Sequence, residues 1–317
     1  RLLGLKPNHE VIVPTITFIA PVNAIRYFSA QPIFMDVDKH GNIDPKKTIE
    51  FIKEKTFYKN GKTYNKKTKK IISILIAVHV FGNPADLDDL VKICKKRNIK
   101  ILEDASESLG SFYSKGKFKG KHTGTIGDLG CISFNINKII TSGGGGIILC
   151  KNKKISEKIR YLVNQAKNDN INFIHDEVGY NYGLSNINAA IGCAQIENIK
   201  KILILKRNLN LIYKKEFSNK TTYSILEEPI YSRSNYWINI VDLKTLNKKK
   251  NFLKTLLKNN IEARPVWKCN HLQKPYIDCE TYKIDEALKI ENNYLCLPSS
   301  YFLKKKKINK ILQYFKK

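Results

Sequence analysis

Short apolar runs alternate with amphipathic stretches through the first two-thirds of the chain. Val11-Ile12-Val13-Pro14, residues 32–37, the longer run 71–80 and residues 99–104 are continuous enough to predict strands buried on both faces. Between them the apolar positions fall at helical spacing. One helix is predicted through residues 21–25 and another over 43–54, with Asp44-Pro45 as its start signal. A third is predicted over 84–97, where Leu87, Leu90, Val91 and Cys94 share a face. This rhythm implies an α/β fold with a mostly parallel sheet flanked by helices. A further strand is predicted at 147–150, and helical patterns dominate 153–219. Beyond about residue 220, short strands (237–241, 263–266) mix with helices (248–258, 306–315). The chain therefore divides into a large domain, 1–219, and a smaller α+β domain, 220–317. Residues 56–70 break the rhythm: they are polar and carry Asn60-Gly61 between Tyr and Thr residues, which predicts an inserted β-hairpin.

Composition narrows the function. The 317 residues are 42% hydrophobic, enough for a sizeable core, and no apolar run approaches the roughly 18 residues that span a bilayer. The start, Arg1-Leu2-Leu3-Gly4, carries no signal-peptide pattern. The seven cysteines (Cys94, Cys131, Cys150, Cys193, Cys269, Cys279 and Cys296) are scattered and form no Cys-x-x-Cys. They predict reduced thiols in a cytoplasmic protein, with no structural metal and no membrane role. The net charge of +28 invites a nucleic-acid partner. Lysine supplies most of it, however, in runs such as Lys248-Lys249-Lys250 mixed with Asn and Ile, and no cluster of arginine forks and aromatics is present. The lysines read as solvated faces, and their field would draw in a phosphorylated, anionic small substrate.

In a parallel α/β sheet, ligands bind beyond the carboxyl ends of the strands, so the residues that follow each strand are the ones to weigh. After 99–102 comes Glu103-Asp104-Ala105-Ser106-Glu107-Ser108. Asp104 either puts a carboxylate into a cleft or caps a following helix. Lys138 lies between apolar stretches, where a lysine is costly unless paired or used. A desolvated lysine amine is nucleophilic and can form a Schiff base; a lysine pointing to water is the plainer alternative. Gly143-Gly144-Gly145-Gly146 allows close backbone approach and positive φ, and no Gly-Lys-Ser/Thr follows to make a P-loop. Asn181 lies in an aromatic loop, and Ser185 is placed to cap the next helix. His79 reads as a satisfied core histidine and is given no role.

Taken in order, VIVPTITFIAPVNAI, PIFMDVD, VHVFGNPADLDDL, ILEDASESLGS, GTIGDLGCISFNINKIITSGGGG, GYNYGLSN, RPVWKCNHLQKPY and CLPSS resemble the DegT/DnrJ/EryC1/StrS sugar aminotransferases, which use pyridoxal phosphate. The 56–70 insertion, the four glycines and the Trp267/His271 region look most like the branch that makes 4-amino-6-deoxy sugars for legionaminic acid or N-acetylbacillosamine. The resemblance implies a fold-type I large domain, a small C-terminal domain and a homodimer with active sites at the subunit interface. It also implies roles. Lys138 matches the Schiff-base lysine, and Asp104 the aspartate that binds the pyridine nitrogen. Glu107 stands near the cofactor's ring hydroxyl. Ser133 matches a phosphate-binding serine, and Phe18 an aromatic that stacks on the ring. Asn181 matches an asparagine that reaches the partner subunit's cofactor phosphate. Arg264, Trp267 and His271 resemble the substrate-side segment that closes over the site.

The implied reaction moves an amino group from L-glutamate to the C4 ketone of a nucleotide-linked 4-keto-6-deoxy sugar, for surface-glycan or nonulosonic acid biosynthesis. Relatives with histidine in place of the lysine catalyse dehydration, so Lys138 points to transamination. Three departures stand out. The family's Gly-Thr phosphate-binding segment would lie before Arg1, so the sequence resembles an N-terminally truncated copy. Gly183 stands where the family has arginine. Ile136 replaces a small residue, and its β-branched side chain is expected to crowd the loop that presents Lys138. The alternative to an enzyme is a truncated, non-catalytic homologue that keeps the fold but binds pyridoxal phosphate poorly.

Overall fold

The computed structural model describes residues 1–169, 171–220 and 222–315. Asn170, Thr221 and the last two residues, included in the predicted domains, lie outside the described residues. The α/β architecture is built on a large mixed sheet. Across it run Glu280–Tyr282, Gln31–Met35, Glu10–Pro14, Ile71–Val78, Lys100–Asp104, Leu129–Ser133 and Gly146–Leu149. All neighbours are parallel except the last pair. Side-chain alternation divides the strand Ile71–Val78 between two cores. Ile74, Ile76 and Val78 join Val11, Val13 and Phe34 on one face, while Leu75 and Ala77 join Ile12, Ile33 and Ile101 on the other. Both faces are therefore buried, as the unbroken apolar runs require.

The helix Pro45–Glu54 starts as its sequence dictates: Pro45 opens it, and the Asp44 side chain accepts the Lys47 N–H at 3.0 Å. The helix predicted over 84–97 is shorter, Asp88–Lys96. Residues 84–87 are drawn off it because the Ala85 N–H is taken by His79 Nδ1 at 3.0 Å and Asp86 Oδ1 accepts the Asp88 N–H. The inserted segment is a hairpin of Thr56–Lys59 and Lys62–Asn65. Asn60 (φ 50°) and Gly61 (φ 74°) supply the two positive dihedrals of a type I′ turn. Asn65 Nδ2 donates to Glu10 Oε2 (2.9 Å) and Glu280 Oε2 (2.6 Å), so the hairpin clamps the amino ends of two strands.

A second sheet, antiparallel throughout, is ordered Ser224–Ile225, Asn239–Asp242, Tyr294–Leu297, Arg264–Pro265. Its core takes Leu209, Tyr213 and Phe217 from the helix Ile199–Lys220, Leu256 from Leu246–Lys258 and Ile308 and Ile311 from Lys305–Gln313. Asp36, fully buried, joins the two sheets' surroundings. Its carboxylate accepts the N–H groups of Asp285, Glu286 and Ala287 at the start of the helix Glu286–Asn293, and Lys47 Nζ lies 2.5 Å away. Among the described residues no helix is long and apolar enough to cross a membrane.

Candidate active site

Four parallel strands end side by side at Pro14, Val78, Asp104 and Ser133, and their carboxyl edge gathers most of the chemistry. Strand register sets Asp104 opposite Cys131, two residues before Ser133. No helix follows Asp104. Its Oδ1 instead accepts the N–H (3.0 Å) and hydroxyl of Ser106 in a tight turn. Among the described residues no donor reaches its other oxygen. Glu103, one residue back, points to the opposite face. It accepts from His79 and from the N–H groups of Gly124, Ile126 and Gly127. These donors outweigh burial and hold its pKa below the ordinary value. His79 accepts from Ala85 through Nδ1, so its proton sits on Nε2 and is donated to Glu103. It is the satisfied core histidine that the sequence suggested.

The loop after Ser133 is closed at its base. Phe134 N–H bonds Gly145 O, and Phe134 O accepts from Ser142 N–H and the Thr141 hydroxyl, each at 3.0 Å. Ser133 Oγ accepts the Asn135 N–H at 3.2 Å, and Asn135 O accepts the Lys138 N–H at 3.0 Å. The glycine run serves both expected purposes. Gly143 and Gly145 have φ near 80°, and a Cβ on Gly146 would lie 2.4 Å from Ile132 O. Ile136 does not crowd the loop: its side chain is 76% exposed, so β-branching there costs the loop nothing.

Within this loop Lys138 is half-buried, and its Nζ lies 4.5 Å from the Trp237 ring centroid. It has no hydrogen-bond or carboxylate partner among the described residues. Trp237 stacks on Trp267 (6.3 Å, 18°), and Trp267 on Phe81 (5.0 Å, 11°). Phe81 holds a left-handed backbone, φ 60°, uncommon for an aromatic. That strain aims its N–H at Glu107 Oε2, 2.8 Å away. Glu107 is buried, and burial pushes its carboxyl up to about 8 against the pull of the Lys138 ammonium and the Phe81 N–H. The Asp104 charge adds to the push. Asp104 and Lys138 thus act on one buried acid from the same edge of the sheet.

Phe18, 54% exposed, follows the first strand at the head of the helix Ile19–Arg26. His271 Nδ1 lies 2.7 Å from Thr15 Oγ1 at that same strand end. Trp267 packs against the core that holds Val11 and Phe34 and against Ile132, Phe134 and Ile139, rather than inside the small sheet's core. Asn181 and Arg264 are not brought in. Asn181 is exposed, in a bridge to Asn164, and Arg264 is exposed and paired with Glu262 at 2.7 Å. A cavity of about 290 Å³ opens on the sheet face that carries Asp104, lined by Val11, Ile76, Leu102, Leu129, Tyr180 and others. Its walls are largely apolar, with Arg1 also among the lining residues. No group of three or more His, Cys, Asp or Glu is placed to hold a metal among the described residues.

Sequence reasoning missed Trp237, Phe81 and Lys206, whose Nζ donates to the Trp237 carbonyl. One signal was available: the chain has two tryptophans, and both stand in this stack.

A profile of the DegT/DnrJ/EryC1/StrS aminotransferase family matches residues 1–316. The GDP-perosamine synthase of Escherichia coli O157:H7 is 34% identical over 274 residues, 86% of this chain and 69% of the relative. The UDP-4-amino-4,6-dideoxy-N-acetyl-beta-L-altrosamine transaminase of Campylobacter jejuni serotype O:23/36 is 32% identical over 234 residues, 73% of this chain and 57% of the relative. The crystal structure of the aminotransferase TlmJ from Streptoalloteichus hindustanus superposes with a TM-score of 0.86 at 22% identity, covering 99% of this chain and 80% of that one.

Proposed function

The chain belongs to the DegT/DnrJ/EryC1/StrS aminotransferase family, and from that membership we propose that it moves an amino group from L-glutamate to the C4 ketone of a nucleotide-linked 4-keto-6-deoxy sugar. Sugar aminotransferases of this family use pyridoxal phosphate. The residues here suit that group. Asp104 keeps one carboxylate oxygen unengaged, as a pyridine N–H needs. Lys138 lies over the Trp237 ring and has no salt-bridged carboxylate among the described residues. Glu107 is an acid that stays protonated at neutral pH and can donate a hydrogen bond to a ring oxygen. When bound, the cofactor supplies an electron sink for the carbanion left when a substrate carbon loses its proton.

The chain's own residues supply the rest. Asp104 would hold the ring's nitrogen protonated from the far side, Ser133 and the loop beyond it would grip the phosphate, and Phe18 would cover the ring. Lys138 would bind the cofactor's carbonyl through its amine and would serve as the base for the proton at the substrate carbon. The observation that carries the proposal is the convergence of Asp104, Glu107 and Lys138 on one edge of the sheet. The relatives are named for GDP- and UDP-linked sugars, which supports a nucleotide-linked sugar without choosing the base.

The test is spectral and chemical. Added pyridoxal phosphate should acquire a new absorption band on binding, and borohydride should fix it to the peptide containing Lys138. A Lys138→Ala protein that is fixed to the same extent at one site would refute the assignment. Absence of saturable binding would favour the non-catalytic homologue, which the relatives do not otherwise support.

A homodimer with shared sites is part of the same proposal. The helix Asn186–Glu197, which follows the exposed Asn181 in sequence, has no buried residue, and Ile187, Ile191 and Ile196 on it stand exposed. Such an apolar surface is typical of a covered one. Sedimentation that gives only monomer at all concentrations would remove this part. The seven cysteines, all unpaired, support a reducing, cytoplasmic setting.

A further inference from the structure

Lys206, on the helix Ile199–Lys220, is 4% exposed. No carboxylate pairs with it among the described residues. Its Nζ donates to two main-chain carbonyls, Trp237 O at 2.6 Å and Ser299 O at 2.5 Å. Burial lowers its pKa to about 7. One turn on, Asn210 Nδ2 donates to Asn239 Oδ1 at 2.9 Å; nearly two turns on, Tyr213 donates its hydroxyl to Pro298 O at 3.0 Å. These three side chains share a helix face and fasten it to the two stretches 237–239 and 297–299. Of the three, Lys206 is the one that grips the residue in contact with Lys138.

Trp237 is held at every polar atom. Its N–H donates to Asn235 Oδ1 (2.8 Å) and its indole Nε1–H to Asn137 O (2.8 Å), beside Lys138 in sequence. Its carbonyl accepts from Lys206, one face of the ring system meets Trp267, and the Lys138 amine lies over the ring. Asn235 in turn donates to Glu107 O and Leu109 O, each at 2.9 Å. An indole attracts an ammonium through its quadrupole and offers no lone pair to take the proton. It can therefore seat an amine that must come and go, where a carboxylate would hold it as a fixed ion pair.

We propose that Lys206 is a positioning residue: by gripping the Trp237 carbonyl it fixes the indole as the seat of the Lys138 amine whenever that amine is not covalently engaged. This rests on Lys138 being the reacting lysine. An apolar side chain at 206 would leave two buried carbonyls without a donor, and the Trp237 main chain would turn to find one.

The experiment uses the cofactor-free protein. Native lysines are acylated briefly with acetic anhydride and quantified peptide by peptide, with Lys100, which pairs with Asp128 at 3.2 Å, as internal reference. Tryptophan emission is recorded in parallel, and it reads this stack alone because Trp237 and Trp267 are the only tryptophans. In Lys206→Met, labelling of Lys138 relative to Lys100 should rise about two- to five-fold, the measure of a lost cation–π seat. The emission should shift to the red. Lys206→Gln, which keeps a donor, should restore part of both. A folded Lys206→Met protein with wild-type labelling and wild-type emission overturns the proposal. If Lys206→Met does not fold, Lys206→Gln carries the test: Lys138 labelling must still exceed wild type and the emission must still shift to the red, and wild-type values for both overturn the proposal. These readouts need no cofactor, so a failed borohydride test would remove the role of Lys138 while leaving the seat itself measurable.

Discussion

Glu107→Gln separates the charge of the buried acid from its shape. Glu107 is 5% exposed, and its carboxyl is pushed up to about 8, whereas an unfolded glutamate ionises near 4.5. Between those values the folded chain keeps a proton that the unfolded chain has released. The stabilising contribution is therefore complete below pH 4.5 and drains away as pH rises toward 8. The slope is about 1.4 kcal/mol per pH unit, which over this window comes to about 5 kcal/mol. Glutamine has nearly the same volume and cannot titrate. The unfolding free energy of Glu107→Gln should therefore gain on the wild type by that slope from pH 4.5 to about 8, then level off. Urea unfolding of the cofactor-free proteins at half-unit pH steps measures it. Asp38, pushed up to about 7 by burial, and Lys206, lowered to about 7, titrate in both proteins and cancel in the difference. A difference that stays constant within about 1 kcal/mol across the window refutes the argument. At pH 7 the wild-type acid is already neutral, so the variant should bind pyridoxal phosphate within about three-fold of wild type there.

In the proposed homodimer, where the Asn181 loop would reach the partner's cofactor, Gly183→Arg should tighten pyridoxal phosphate binding about three- to ten-fold by adding a guanidinium near its phosphate. The backbone permits it, since a Cβ at Gly183 meets only Asn164 Oδ1 at 3.3 Å and φ is not left-handed; equilibrium dialysis measures the gain, and no gain removes the assumed geometry. Asn65→Leu should cost about 2–4 kcal/mol of stability by stripping an amide donor from Glu10 and Glu280. It should leave cofactor affinity unchanged, because the hairpin grips the amino ends of the strands; a loss of affinity would contradict that placement. Asp36→Asn should cost about 3–5 kcal/mol at neutral pH, read from urea midpoints. Burial alone would raise the Asp36 pKa, but the Lys47 hydrogen bond and the N–H groups of Ala287 and Asp285 outweigh it and leave it low. The cost should therefore be present above pH 4 and shrink as pH falls through the folded value.

Four strands of the large sheet were legible because burial on both faces leaves unbroken apolar runs, and Val11, Ile33, Leu75 and Ile101 fall in such runs; Leu129–Ser133 was not read as a strand. The hairpin was legible because Asn60-Gly61 suits a turn with two positive dihedrals. Asp104 was found by looking at a strand's carboxyl end, and Lys138 because a lysine between apolar stretches is costly unless paired or used. What escaped has no local signature. The strand Glu280–Tyr282 pairs beside Gln31–Met35 across nearly 250 positions, and no periodicity encodes that partner. His271 meets Thr15, and Trp237 meets Lys138, through the same kind of long-range closure. The left-handed Phe81 was invisible because an aromatic is an unfavourable choice for that dihedral, so propensity argued against it. The expectation that Ile136 would crowd its loop failed because the loop turns that side chain to water.

Three local rules are broken around one point, and the breaks are connected. Phe81 accepts a backbone conformation that costs about 1–3 kcal/mol, Glu107 is an acid buried away from water, and Lys206 is a buried amine with no counter-ion among the described residues. Burying an acid at 107 and an amine at 206 costs desolvation that apolar side chains would not incur. Yet each strained or buried group hands a hydrogen bond to the next. Phe81 gives its N–H to Glu107, Asn235 bonds both the Glu107 main chain and the Trp237 N–H, and Lys206 takes the Trp237 carbonyl. The chain of contacts ends at the amine of Lys138. Sequences conflict with local preference chiefly where a site demands it. The clustering of these conflicts therefore argues that the position of one amine, rather than stability, decided which residues occupy 81, 107 and 206.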